Sequence, residues 1–358
     1  MKNRKIMLVV LAFSMLLSAC GAKEATTTTN ENIVNEGTST DASWSENIIQ
    51  KSLCDNVTVD AKVIVPERFK GAVNIYDAGV EGIQKDLAFQ TFQIEQEKAT
   101  QVAEGLYAYN DSFIEFSDAV SGSFSYTAKG GEQYKTYDDY EAEESKVANV
   151  GENVELTFMS RQDAENKAKK ILAEIGINET AVTHIFALPV AYHQYVENTE
   201  VKEGVLESSK ALGRQWENLG DCYEVQLTTQ YDGIPLCEEG YIAADDSGVN
   251  GGKITAIIST EGVQQLDVPN QYIVDNKTVQ EQKILTTQDI LEKLKNKMEN
   301  IILTDEYTVT KLELCYYPKI MDKEKAIFKL IPVWEITLNG EEDGEITYIF
   351  QASDGTEI

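Results

Sequence analysis

Cys222-Tyr223-Glu224-Val225-Gln226-Leu227-Thr228-Thr229-Gln230-Tyr231, followed by Asp232-Gly233, is the stretch whose reading decides the fold. Tyr223, Val225, Leu227, Thr229 and Tyr231 alternate with Glu224, Gln226, Thr228 and Gln230, the period of two that gives a strand one apolar and one polar face. Asp-Gly suits a tight antiparallel hairpin, whose two central residues both need positive φ. Further strand-like tracts surround it: Val182 to Tyr195, Ile234 to Ala244, and Lys253 to Ser259. A helix precedes them. Ser160-Arg161-Gln162-Asp163 has the hydroxyl-to-carboxylate spacing of a capping box, Ala164, Ala168, Ile171, Leu172 and Ile175 follow at helical intervals, and Gly176 supplies the stop.

The same order recurs downstream. Thr286-Thr287-Gln288-Asp289 opens a second amphipathic helix through Ile290, Leu291, Leu294, Met298 and Ile301, and strands follow at Val309 to Tyr317, Ala326 to Leu338 and Glu345 to Ala352. Upstream, Val57, Val59, Ala61, Val63 and Val65 alternate with Thr58, Asp60 and Lys62 up to Pro66, predicting a half-buried strand. A helix is expected from about Ile83 to Ala103, although Thr91 and Phe92 weaken its middle. Short strands with a Gly130-Gly131 turn are expected over 122–137, and Asp138 to Ser145 reads as a solvated acidic loop. Runs of strands after single helices predict an α+β protein with antiparallel sheets each packed on a helix. The expected layout is an N-terminal α+β segment (44–150) and two helix-plus-meander units (151–275 and 276–358).

At the N-terminus, Lys2, Arg4 and Lys5 precede an apolar run from Ile6 to Leu17 and then Ser18-Ala19-Cys20-Gly21. That run is too short to cross a hydrocarbon core roughly 30 Å thick, so residues 1–19 read as a secretory signal. Leu17-Ser18-Ala19-Cys20-Gly21 resembles the bacterial lipobox. The resemblance implies that Cys20 receives diacylglycerol and becomes the mature N-terminus, anchoring the chain on the outer face of the bacterial cytoplasmic membrane, in a Gram-positive cell. Residues 20–43, rich in Thr, Asn, Ser and Glu, read as a flexible tether.

The chain carries 31 basic and 60 acidic side chains, a formal net charge of −29. Such a polyanion is repelled by nucleic acid and by anionic lipid, so no nucleic-acid partner is expected and membrane attachment must come from the lipid. A hydrophobic content of 42% is enough to bury cores, which separates the chain from disordered acidic sequences.

Residues able to do chemistry are sparse. His184 and His193 have no zinc-ligand spacing and read as half-buried histidines. The cysteines beyond Cys20, namely Cys54, Cys222, Cys237 and Cys315, form no C-x-x-C pair. An exported chain could oxidise them, Cys222 and Cys237 being nearest in sequence. A hairpin at Asp232-Gly233, however, sets Cys222 opposite Tyr241 to Ala243, and buried free thiols remain the alternative. Gly248-Val249-Asn250-Gly251-Gly252-Lys253 is too short for a phosphate loop, and Ile254 stands where a metal-binding hydroxyl is needed. Asp245-Asp246-Ser247 offers oxygen ligands without an EF-hand pattern and reads as a solvated turn, as does the Glu341-Glu342-Asp343 tip. Tyr107, Tyr109, Tyr126, Tyr134 and Tyr137 are the residues offered as a binding surface.

The tail carries a second resemblance. Ile331-Pro332-Val333-Trp334-Glu335-Ile336, followed by Tyr348-Ile349-Phe350-Gln351-Ala352 and Gly355 to Ile358, resembles the end of PepSY-type and YycI-like extracytoplasmic domains. The whole chain is also similar to clostridial lipoproteins grouped as a domain of unknown function, in its lipobox, its Thr-rich tether and its early valine-rich strand. These resemblances imply a regulatory or ligand-binding exported module. With the lipobox, the tether, the repeated helix-meander plan and the missing catalytic motifs, the expectation is a non-enzymatic, surface-displayed module, without cofactor or metal, that binds or regulates an extracytoplasmic protein, a peptide or a cell-wall component. The rival expectations are an exported solute- or calcium-binding lipoprotein and a carboxylate-based hydrolase.

Overall fold

Two strands open the folded part, β1 (Asn47–Cys54) and β2 (Val57–Ile64), and β2 buries Val57, Val59, Ala61 and Val63 while its intervening residues stay exposed, as the alternation predicts. The structure, a computed structural model, describes residues 47–358 apart from 67, 68, 70, 118–121, 138–146, 206–218, 243–247, 250, 276–279, 302, 304 and 341–343. The signal, Cys20, the tether, the 138–145 loop, Asp245-Asp246-Ser247 and the 341–343 tip lie outside the described residues.

The chain continues through β3 (Ala72–Val80), α1 (Lys85–Thr91), β4 (Thr100–Ala103), β5 (Leu106–Tyr109), β6 (Ser112–Phe116) and β7 (Phe124–Thr127). Next come α2 (Arg161–Glu174), β8 (Thr180–Leu188), α3 (Val190–Glu203), β9 (Cys222–Tyr231), β10 (Ile234–Pro235), β11 (Tyr241–Ile242) and β12 (Gly248–Val249). The last elements are β13 (Ile254–Ser259), β14 (Gly262–Val268), β15 (Tyr272–Val274), β16 (Gln280–Lys283), α4 (Thr287–Met298), β17 (Tyr307–Asp322), β18 (Ile327–Gly340) and β19 (Gly344–Gln351).

The protein is α+β, built on two large antiparallel sheets. The first runs β1-β2-β17-β18-β3-β15, with β16 on β3 and β19 on β18; β2 and β17 form its parallel pair. The second runs β10-β9-β13-β14-β7-β6-β5-β4, with β8 on the other edge of β9. Residues 44–150 are shared out: β1 to β3 join the C-terminal strands, and β4 to β7 join the central ones. Ser43–Ile358 forms one compact unit.

Local sequence explains the two long-expected helices. In α2, Ser160 Oγ accepts the Asp163 N–H at 3.1 Å, and Ala164, Ala168 and Leu172 pack against Val225, Leu227, Ile254 and Ala256. In α4 the cap is reciprocal: Thr286 Oγ1 accepts from Asp289 N–H at 3.2 Å, and Asp289 Oδ2 accepts from Thr286 N–H at 3.0 Å. Its buried stripe of Ile290, Leu291, Leu294 and Met298 meets Leu312, Leu314, Trp334 and Ile336 of the first sheet. The helix stops before Ile301, which is 44% exposed.

Three expectations are corrected. The helix expected over 83–103 is α1 alone, ending at Thr91 and capped by Phe92, whose ring stacks on Tyr126 at 3.8 Å; β4 follows. The tract from Val182 to Tyr195 is a strand only to Leu188. Pro189, which fixes φ and lacks an N–H, caps α3 in its place. The tract from Ile234 to Ala244 is broken as well. Asp232 (φ 54°) and Gly233 (φ 80°) make the predicted turn, but only Ile234 and Pro235 pair back on β9. Leu236 then bridges Tyr316 on β17, so the chain leaves one sheet for the other.

Candidate functional site

The polar face of β9 is not wet. Glu224 and Thr228 are fully buried and Gln226 is 3% exposed, because α3 and residues 134–137 lie over that side of the second sheet. Its acceptors and donors are answered internally. Tyr137 N–H and Gln226 Nε2 donate to the two Glu224 oxygens, each at 2.6 Å, and Thr228 Oγ1 donates to Leu236 O at 2.9 Å. Gln265 Nε2 donates to the carbonyls of Gly131 and Tyr134 at 2.7 and 2.9 Å, and Tyr192 hydroxyl to Thr136 O at 2.7 Å. Lys135 Nζ pairs with Glu200 at 2.9 Å. Together these bonds fasten the 131–137 segment across the sheet, satisfying groups that would be costly to bury alone.

At the centre of this layer His193 Nε2 lies 3.4 Å from Cys222 Sγ. The neighbourhood of a thiol and an imidazole suggests a nucleophile and its base, but the bonding runs the other way. Lys135 N–H donates to His193 Nδ1 at 3.0 Å, which leaves the ring proton on Nε2, facing the sulfur. The imidazole therefore has no lone pair to take the thiol proton. Burial pushes the imidazole down to about 3 and the thiol well above its usual range, the latter helped by the nearby acids Glu224 and Asp221. A thiolate nucleophile requires the opposite surroundings. The pair is an interior hydrogen bond.

The five tyrosines divide between two sides of the second sheet. Tyr107, Tyr109 and Tyr126 pack with the α1 side: Tyr107 lies edge-on to Phe89 and under Lys85 Nζ, 3.8 Å from its ring, and Tyr109 hydroxyl donates to Glu95 at 2.7 Å. Tyr134 and Tyr137 belong to the α3 side, where Tyr134 meets His193 edge-on at 5.4 Å and Tyr137 stacks on Phe186 at 4.0 Å. His184 stacks on Phe186 and bonds Glu152, away from His193.

A second polar cluster joins the sheets. Asp232, in the β9–β10 turn, accepts from Asn74 Nδ2 at 2.7 Å and from Tyr76 hydroxyl, while Tyr316 hydroxyl donates to Asn74 O at 2.7 Å. Burial, reinforced by the Asp232 hydrogen bond, pushes Tyr76 up to about 12. Beside it is a cavity of about 170 Å³ lined by Asn74, Asp232, Ile234 and Tyr316. An open cleft of about 410 Å³ lies elsewhere, between the β1–β2 turn and the end of α4. The run Gly251-Gly252 serves close packing: a Cβ on Gly252 would stand 2.6 Å from Thr228 Oγ1. Among the described residues, no helix is long and apolar enough to cross a membrane.

Sequence reasoning missed Glu224, Gln226 and Thr228 as interior groups. The signal that could have found them is the spacing of Tyr192, His193, Val196 and Glu197 after Pro189, the i, i+1, i+4, i+5 pattern of a helix able to cover a second face.

No protein-family model matches the sequence, and no curated protein matches it. Among solved structures, the fold is similar to that of an uncharacterized protein from Eubacterium rectale ATCC 33656, with a TM-score of 0.61 and 15% identity over 87% of this chain and 93% of that one. At this identity the likeness is one of fold.

Proposed function

We propose that the chain is a non-catalytic binding or regulatory module, displayed on the outer face of the bacterial cytoplasmic membrane through diacylated Cys20, for an extracytoplasmic protein, a peptide or a cell-wall component. One observation carries the non-catalytic part of this reading. Cys222 and His193, the thiol and imidazole that the fold brings together, are buried and wrongly protonated for nucleophilic chemistry, and the imidazole instead accepts from Lys135 N–H, helping to hold the 131–137 segment on the sheet. The Leu17-to-Gly21 resemblance supports the anchor. The tail resemblance to PepSY-type and YycI-like domains supports a modulating role, and we read residues 151–275 and 276–358 as two related helix-plus-meander units.

Crosslinking on intact cells, with the wild-type chain and its Cys20→Ser variant, tests this reading. The wild type is expected in the membrane fraction with one reproducible extracytoplasmic partner, and the variant in the medium or as uncleaved precursor. Normal processing and membrane retention of the variant would refute the anchor. Turnover of a cell-wall substrate by the purified chain, abolished by exchange of an acidic pair, would refute the non-catalytic reading in favour of a hydrolase.

A further inference from the structure

On β17, Lys311, Glu313, Cys315 and Tyr317 alternate with Leu312, Leu314 and Tyr316, which point to the opposite face, into the core that α4 shares. On β18, Val333 stands opposite Cys315 and Glu335 opposite Glu313. The chain leaving β10 crosses this face. Cys237 N–H donates to Tyr316 O at 2.9 Å, and Cys237 O accepts from Gly252 N–H at 2.7 Å, fixing its backbone on both sides. That anchoring sets Cys237 beside Cys315, and the two Sγ atoms and a carboxylate oxygen of Glu335 all lie within 4.8 Å of one another. Cys237 and Cys315 are buried and the Glu335 side chain is 12% exposed, the cluster being walled by Tyr317, Ile331 and Val333, with Tyr241 stacked on Tyr317 at 4.3 Å.

Two thiols pack well without a carboxylate, and a desolvated carboxylate is costly to hold. Here Lys311 Nζ lies 3.2 Å from Glu335 and 3.1 Å from Glu313, one ammonium facing two carboxylates. We propose that Cys237, Cys315 and Glu335 form a binding site for a thiophilic divalent cation, with zinc fitting the sulfur, sulfur, oxygen donor set. Zinc bonds of about 2.3 Å to sulfur and about 2.0–2.2 Å to oxygen place tetrahedral donors roughly 3.5–3.8 Å apart. Closing the cluster therefore asks for shifts of about 1 Å or less. On binding, two metal–sulfur bonds and one metal–oxygen bond form, two S–H bonds break, and both protons pass to solvent. No group changes oxidation state, and the exchange of two protons for one divalent cation leaves the cluster's charge as it was. Water or a solute completes the tetrahedron, and Lys311 orients Glu335 from beyond the ligand shell.

The test uses the full chain, unfolded in urea with reductant and refolded with cadmium or zinc salts, because the buried cluster is best loaded as it forms. Cadmium is the optical probe. The wild type is expected to keep one metal per chain after desalting, with the ultraviolet charge-transfer absorption of cadmium–thiolate bonds, and zinc is expected to displace the cadmium. Cys237→Ser and Cys315→Ser should each abolish that absorption, Glu335→Gln should weaken affinity at least ~10-fold, and Cys54→Ser should change nothing. A correctly refolded wild type that retains no metal overturns the site. So does a Cys237–Cys315 disulfide formed equally well with and without zinc once reductant is removed. Both outcomes are read on the wild type, so a variant that fails to fold does not rescue the proposal.

Discussion

His193 must stay neutral for its two ring nitrogens to keep their partners, Lys135 N–H and Cys222 Sγ. Its protonation range is lowered to about 3 in the fold, against about 6.5 in the unfolded chain. Below pH 6.5 the unfolded chain therefore takes up a proton that the folded chain refuses. The stability this residue contributes is present above about 6.5 and is lost as pH falls towards 3, at about 1.4 kcal/mol per pH unit. Urea denaturation from pH 7 to 4.5 should show a steeper loss for the wild type than for His193→Gln; equal slopes would mean that the imidazole is hydrated. Glu224 supplies a second prediction. Glu224→Leu removes the acceptor from Tyr137 N–H and Gln226 Nε2 in a dry layer and should cost on the order of 3 kcal/mol, measured as a shift in urea midpoint at constant slope. Neither role was legible in residues 190–197 or 222–231. Alternation reports that one face of a strand is polar and leaves open whether water or another polar layer meets it. The turn at Asp232-Gly233 was legible, because its positive φ values are a local property of the dipeptide.

Among the elements, the best-read were those whose ends are written chemically. Ser160 and Thr286 bind the N–H groups of Asp163 and Asp289 within the same short segment, so the starts of α2 and α4 follow from neighbouring residues. Thr286→Ala should lower stability by about 1 kcal/mol, whereas Leu291→Ala, which empties a fully buried position against the first sheet, should cost about 2–5 kcal/mol. Thermal unfolding of the two variants checks the order; equal losses would mean that α4 is held by its cap alone. α3 was misread because Val190, Tyr192 and Tyr195 favour strands, and its helical state is set by Pro189 before it and Gly204 (φ 74°) after it. The break after Pro235 was hidden for a different reason. It depends on Leu236 finding Tyr316 some eighty positions away, and no window of sequence holds both.

For the whole molecule, the formal charge of −29 acts on every part of the folded unit at once. Repulsion among so many carboxylates destabilises the compact state and is screened by salt over a Debye length of about 30 Å at 0.01 M and 3 Å at 1 M. The melting temperature should therefore rise as sodium chloride is raised between those limits at pH 7; a flat response would place the acids in locally balanced pairs. A second prediction follows from the strand order. β2 and β3 take β17 and β18 as neighbours, so removal of residues 307–358 strips the first sheet of its centre. The shortened chain should fail to give a soluble, cooperatively unfolding product, as judged by gel filtration and urea titration. A monomer retaining one cooperative transition would show that the second sheet stands alone.

The parallel pairing of β2 with β17 has a consequence for the chain while it is being made. Thr58 and Tyr307, which touch in the finished sheet, are 249 positions apart. At about 5–20 residues per second, β2 waits about 12–50 s on the ribosome for its partner, with its valine face and an open hydrogen-bonding edge uncovered. Val57 to Val65 is thus a segment through which a growing chain is exposed to sticking to its neighbours, and a holding chaperone would act there.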